Sequence, residues 1–297
     1  DNTQIGLNNG FDNGVDVISG DDFNNVKVIG TSGNDVLNFK NVTITGISEI
    51  DGGNNNDIIT TSDKSAANYR GGSGNDSFVL GGANATLLYA GNNNGADSFS
   101  GNVVGDAVIH TIKASGDNAQ IGLNNGFANG VDVIDGGSFN NVKVIGTGGN
   151  DVLDFGHVAI SGISEVNGGN NNDTITVSSV SNIANAINYV GGHGTDTLVV
   201  NLTLAQAQDT VLLGHLSMLA ASNGNGALNY GPFNFTSTTF ENLRVQIEIG
   251  NTYVPINPAS LLVGTANHQD GNHSPVLSAP ANIATTILGL GGDDTIV

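Results

Sequence analysis

Residues 1–60 and 117–176 are two copies of one sequence. Aligned without gaps at an offset of 116, they share 46 of 60 residues. The strings QIGLNNGF, NGVDVI, FNNVKVIGT, GISE and GGNNND recur intact. A chain that repeats in tandem folds as stacked copies of one unit, each burying its apolar face against its neighbour, rather than as a closed globule. The copies then drift. Asp76 corresponds to Asp196 at an offset of 120, so the second copy carries four extra residues near 177–187.

A shorter period lies inside each copy. Six-residue turns ending in aspartate recur as GTSGND (30–35), GGNNND (52–57), GGSGND (71–76) and, more loosely, NNNGAD (92–97). Their aspartates are 22, 19 and 21 residues apart. The second copy has GTGGND (146–151), GGNNND (168–173) and GGHGTD (191–196), and the chain closes on GLGGDD (289–294). Each turn is followed by a short β-prone piece such as Val36-Leu37 or Phe78-Val79. Gly71, Gly81 and Gly91 mark a half-step of ten residues, and the intervening turns lack the final Asp. The spacing predicts coils of two strand-turn units, one corner acidic and the other not.

Composition fits this reading. The chain has 297 residues, 44 of them glycine, with 7 Lys+Arg against 27 Asp+Glu, a net charge of −20 and no cysteine. Gly, Asn and Asp disfavour helix interiors and supply the positive-φ positions that tight turns need. The deficit of basic residues argues against nucleic-acid binding. Disulfides and thiolate metal sites are impossible, and no apolar run reaches the ~18 residues of a membrane span. Hydrophobic residues make up 38% of the chain at regular intervals, which argues against disorder. Asp1 stands where an initiator Met would, and no signal peptide precedes it, which reads as an internal or processed start.

We therefore expect an all-β fold: an elongated parallel β-roll or β-helix of stacked coils of ~20 residues, spaced by the ~4.8 Å of neighbouring strands. Stacking aligns Asp35, Asp57, Asp76 and Asp97 in one column, and Asp151, Asp173 and Asp196 in another. Carboxylates ~5–7 Å apart at an effective dielectric of ~20 repel by roughly 2–3 kcal/mol per pair. A divalent cation relieves this. Calcium takes oxygen ligands from carboxylates and backbone carbonyls, both of which a glycine turn ending in Asp exposes. These seven aspartates and Asp294 are the candidate ligands. Asp21, Asp22 and Asp135 read as surface corners, and Asn24-Asn25 and Asn140-Asn141 as possible amide ladders.

GGSGNDSFV (71–79) and GGHGTDTLV (191–199) match the nonapeptide GGxGxDxUx of the repeats-in-toxin calcium-binding proteins at every fixed position. The other turns depart by one or two glycines. The chain resembles that family in a degenerate form like that of bacterial surface-layer or adhesin proteins. The resemblance implies a parallel β-roll, Ca2+ between adjacent turns, and secretion by bacteria, usually by the type I route. Acidic turns on alternate corners only, and longer coils, imply fewer ions than a regular array.

The chain divides into a first repeat block (1–116), a second (117–203), a divergent segment (204–252) and a proline-containing connection that restarts the acidic turn (253–297). Leu204–Ser222 has helical composition with Thr203 as N-cap, and Gly214 argues against one continuous helix. Phe233–Ile249 alternates like strands, with FENLRVQIEIG in the role of the GISE strands that lead into a coil. His268 and His273 flank Asp270 but read as a linker. No catalytic motif is present, so the chain reads as a non-enzyme. The expected role is a secreted, calcium-binding structural protein of a surface layer, extracellular filament or adhesin. It would assemble with its own copies, end to end or laterally, with cell-surface polysaccharide as a further partner. The alternatives are a folding and secretion module of a larger secreted protease, lipase or polysaccharide epimerase, or a polysaccharide- or ice-binding face.

Overall fold

The computed structural model describes residues 2–11, 14–92, 94–101, 107–125, 127, 130–181, 186–250 and 252–259, together with four short strands beyond 260. It is a β-solenoid of about eight turns, with parallel sheets and little helix. Each coil contributes one strand before its acidic turn and one after. In the first block the strands before the turn are Gln4–Gly6, Val26–Ile29, Ile47–Asn54, Ala67–Ser73 and Ala85–Tyr89. Those after it are Val36–Asn38, Ile58–Thr60, Ser77–Leu80 and Ser98–Gly101. All pair in parallel with the coils above and below.

In/out alternation makes most of the core. In register, Ile5, Val28, Ile50, Tyr69, Leu87 and Ile112 form one inward row. Leu37, Ile59, Phe78 and Phe99 form the facing row. All but Ile5 are buried. A core a few side chains wide holds the coil closed, so each inward methyl group is shared by neighbouring coils.

The expectation of two strands per coil holds for only part of the stack. Coils at the start of each block carry a third short strand: Val17–Ser19 on Thr43–Thr45, and Val133–Asp135 on Ala159–Ser161. Ile18 and Ile44, and Ile134 and Ile160, bury an extra apolar row there. This third face joins the blocks. The first block's eight-stranded sheet continues from Ala85–Tyr89 through Thr111–Ala114 to Val133–Asp135 and Ala159–Ser161. A second sheet starts at Gln120–Gly122. The repeat boundary at 116/117 is thus a shift of faces within one continuous core.

The divergent segment closes the stack. Helix α1 (Leu204–Ala207) begins with a capping box between Thr203 and Gln206. Helix α2 (Thr210–Ala221) starts afresh because Asp209 accepts the N–H groups of Val211 and Leu212. The helical break therefore falls at Gln208-Asp209, and Gly214 lies inside α2. Leu212, Leu213, Leu216 and Leu219 are buried. Two strands then run antiparallel: Gly226–Tyr230 on Phe233–Thr238, and Thr252–Ile256 on Asn242–Ile249. Asn242–Ile249 stacks on Thr197–Leu202, after the acidic turn. FENLRVQIEIG therefore does not play the part of the GISE strands; Phe233–Thr238 takes that sheet position instead. Beyond the cap, Thr286–Leu288 pairs in parallel with Leu261–Val263, and Thr295–Ile296 with Val276–Leu277.

Leu153→Ala should destabilise the protein by about 2–5 kcal/mol, because Leu153 is fully buried. Val152→Ala, one residue away and 52% exposed, should change stability by less than about 0.5 kcal/mol. Chemical denaturation of the two variants checks the alternation.

Candidate metal centre

Seven of the eight candidate aspartates are described, and all seven are at most 2% exposed. Asp294, and likewise His268 and His273, lie outside the described residues. The aspartates form a hydrogen-bonded ladder. Asp57 Oδ1 accepts the backbone N–H of Asp35 at 2.8 Å, Asp76 Oδ1 that of Asp57, and Asp97 Oδ1 that of Asp76. The second block repeats it: Asp173 accepts from Asp151 and Asp196 from Asp173. Each carboxylate thus reaches back one coil and pins the corner before it.

An amide ladder runs beside it in the opposite direction. Asn34 Oδ1 accepts the N–H of Asn56, Asn56 that of Asn75, and Asn75 that of Ala96. In the second block Asn150 accepts from Asn172, and Asn172 from Thr195. The Asn-Asp pair at each corner therefore clasps the coils on both sides. The expected amide ladder at Asn25 and Asn141 also forms, each donating to the asparagine one coil before it, Asn2 and Asn118. Asp21 accepts the exposed hydroxyls of Ser19 and Thr45, and Asp135 faces Lys113 at 3.7 Å, as surface corners.

The residues missed in the sequence complete the ladder ends. Glu241 Oε2 accepts the N–H of Asp196 at 2.6 Å and serves as the last rung. Its turn, STTFEN, carries no glycine, so the motif spacing hid it; the only signal was an acid followed by Asn-Leu, like the ND-x-L of earlier turns. At the first rungs, Thr31 and Thr147 replace the second glycine of the turn. Their N–H and hydroxyl groups donate to Asp35 and Asp151. Tyr89 donates its hydroxyl to Asp97 Oδ2 at 2.5 Å.

Asp97 is therefore satisfied on both oxygens, whereas its neighbours are not. Asp35 Oδ1 and the Oδ2 atoms of Asp57, Asp76, Asp173 and Asp196 are buried with no hydrogen-bond partner among the described residues. Glycine makes room for them. A Cβ built on Gly168 would lie 2.5 Å from Asp173 Oδ2 and 2.6 Å from the carbonyl oxygen of Gly191, one coil on. The same pairing of a carboxylate oxygen with the next coil's carbonyl recurs over Gly30, Gly52, Gly146 and Gly191.

These atoms suit a hard cation: the donors are carboxylate and carbonyl oxygens, without sulfur or clustered imidazole. Among the described residues no three His, Asp or Glu side chains converge on one point. Any ion here would draw on one or two carboxylates and on backbone oxygens. The electrostatics point the same way. Burial pushes the Asp57, Asp76, Asp97 and Asp173 carboxyls up to about 7, 6, 8 and 6, and raises that of Asp196. Neighbouring carboxylates add to the shift at Asp57, Asp76, Asp97 and Asp173.

No family model matches this chain, and neither does any curated protein or solved structure. Among the described residues no helix is long and apolar enough to cross a membrane.

The raised values imply a pH dependence. Unfolded aspartates titrate near 3.8, so between that pH and the folded values the folded state holds more protons than the unfolded chain. Stability then falls as pH rises through about 4 to 8. In chelator, the melting temperature should be lower at pH 8 than at pH 5, and millimolar calcium should restore it at pH 8. Equal melting temperatures in chelator would refute this. Asp57→Asn keeps the acceptor for the Asp35 N–H and removes the charge. At pH 8 it should melt above the parent protein in chelator and gain less from calcium.

Proposed function

We propose that the chain is a secreted, calcium-binding structural protein of bacteria, a β-solenoid that contributes to a surface layer, extracellular filament or adhesin. The observation that carries this reading is the phased set of orphaned, buried carboxylate oxygens on the acidic corners. Asp35, Asp57, Asp76, Asp173 and Asp196 would hold the ions, with carbonyl oxygens of glycines in the adjoining coils. Asp151 supplies the rung between Thr147 and Asp173, and Asp97 closes the first row against Tyr89. Calcium supplies the positive charge that this column of buried acid otherwise lacks.

The chain's own residues do the rest. The Asp and Asn ladders fix the coil spacing, and the inward aliphatic rows exclude water from the corner's inner side. Calcium sites of extracellular modules work at dissociation constants of about 10⁻⁴–10⁻³ M, which suits a protein that folds after export. Secretion, by the type I route usual in the family, is what the resemblance of the turns to the repeats-in-toxin nonapeptide adds. A net charge of −20 suits neither nucleic acid nor an anionic membrane surface. The partners proposed are further copies of the chain, with cell-surface polysaccharide as a possible anchor.

Calcium titration tests the reading. From chelator to millimolar calcium, circular dichroism should show a gain of β signal and calorimetry should show saturable binding. Magnesium, which demands tighter octahedral geometry, should bind much more weakly. An unchanged spectrum with no bound calcium would overturn the proposal.

A further inference from the structure

Where the two blocks meet, the eight-stranded sheet passes from strands that precede acidic turns, Ala67–Ser73 and Ala85–Tyr89, through Thr111–Ala114 to Val133–Asp135 and Ala159–Ser161 on the third face. Its outer surface there forms an open trough of about 630 Å³, continued by a smaller one of about 360 Å³ that shares Asn68 and Thr86 with it. Two outward rows in register line the larger trough. One is Asn68, Thr86, Thr111 and Val133. The other is Leu88, Lys113, Asp135 and Ser161. From Ile47 to Ser161 the trough crosses six neighbouring strands along the stacking axis, roughly 24 Å at ~4.8 Å per strand.

The polar groups of the trough are largely unspent. Among the described residues neither the Thr86 nor the Thr111 hydroxyl has a hydrogen-bond partner. Asn68 uses only its amide nitrogen, on the carbonyl of Ser48. Lys113 Nζ stands 3.7 Å from Asp135, beyond a normal hydrogen bond, so both keep bonding capacity. The second block differs. Asn188 is the counterpart of Asn68, and the threonine stacked on it, Thr236, donates to it at 3.1 Å. Charge also sets this sheet apart. Its strands carry three basic residues (Lys27, Arg70 and Lys113) and three acids (Glu49, Asp51 and Asp135). The other four basic residues and 24 acids lie elsewhere, so a neutral sheet sits on a chain of net charge −20.

We propose that this trough binds an extended, uncharged polysaccharide chain lying along the stacking axis. This gives the polysaccharide of the functional reading a site, and rests on that reading for where such a polymer is met. Charge selects the occupant. An anionic polymer is repelled by the rest of the protein, and a cationic one is drawn to the acid elsewhere. A peptide strand finds no free backbone groups, because the five strands from Ile47–Asn54 to Val133–Asp135 are paired on both sides. A sugar chain needs neither charge nor an open sheet edge. Its hydroxyls both donate and accept, which suits the interspersed Thr86, Thr111, Asn68, Lys113 and Asp135. Its C–H surfaces can lie on Leu88 and Val133. Rungs ~4.8 Å apart offer similar contacts repeatedly along a polymer of small rings.

Affinity electrophoresis of the full chain tests this, in native gels with millimolar calcium and dextran, laminarin, hydroxyethylcellulose or hyaluronate. At least one of the three neutral polymers should retard the protein, and the anionic hyaluronate should not. Thr86→Val combined with Thr111→Val keeps the β-branched shape and removes both hydroxyls. The apparent Kd for the retarding polymer should then rise about tenfold, the effect of two neutral hydrogen bonds. The double variant should keep the parent's calcium-induced spectrum and melting temperature. Thr236→Val, whose hydroxyl is already bonded to Asn188, should leave the Kd unchanged. Three results would overturn the inference: no retardation by any neutral polymer, retardation by hyaluronate as strong as by any of them, or a double variant that binds as the parent does. A protein that responds to calcium but passes every gel unretarded sinks this inference alone. A protein that is retarded but shows no calcium response sinks the metal reading and leaves the trough.

Discussion

The fold depends on one interaction repeated along its corners: a buried aspartate carboxylate accepting the backbone N–H of the aspartate one coil before. It fixes the coil spacing at the point where the chain turns and no strand ladder is available. It also creates the protein's main conflict. The geometry that satisfies one carboxylate oxygen buries the other, and on Asp35, Asp57, Asp76, Asp173 and Asp196 that second oxygen has no partner. A buried acceptor left unmet costs about 1–3 kcal/mol, and more when it is charged. Protons or a divalent cation are the available remedies, so the same ladder supplies both the architecture and the reason for an ion.

Where a side chain of the protein can take the place of a proton or an ion, it does. Tyr89 donates to the free oxygen of Asp97, the last acidic rung before the faces shift between blocks. Thr31 and Thr147 donate to the first rungs, where threonine replaces the turn's second glycine in both copies. Glu241 ends the second ladder with a longer side chain, which reaches Asp196 from a turn without glycines. Hydroxyls and a glutamate thus add donors and an acceptor at the ladder's ends, while Asp35, Asp57, Asp76, Asp173 and Asp196 each keep one unmet oxygen. The helical cap and two antiparallel strands then stop the parallel stacking, because neither offers the parallel edge the next coil would need.

Much of this was legible in the chain. The period of the acidic turns, the alternation of Val28, Ile50 and Tyr69 with polar neighbours, and the Thr203 cap all follow from local rules of turn chemistry and side-chain direction. Less was legible where packing decides. Asp209 ends α1 and restarts α2, although Gly214 looked like the weaker point, because a side chain that accepts two N–H groups outweighs one residue's poor helix propensity. The third strand of the early coils was hidden because Val17–Ser19 and Thr43–Thr45 are only three residues long. Glu241 was hidden because its partner lies 45 residues away across the helical insertion.

The sequence by itself determined the repeat, its period and the acidity of one corner, since these are properties of residue order: glycine where φ turns positive, a short carboxylate after it, β-prone residues between. Only the tertiary structure decided which way those carboxylates face. Read along the chain, they form an exposed column of like charges. In the stack they turn inward and bond to the backbone of the coil before, because a buried corner N–H needs an acceptor and the nearest one belongs to the next coil's aspartate. That partner is about twenty residues away, so only the stacking of whole coils could reveal it.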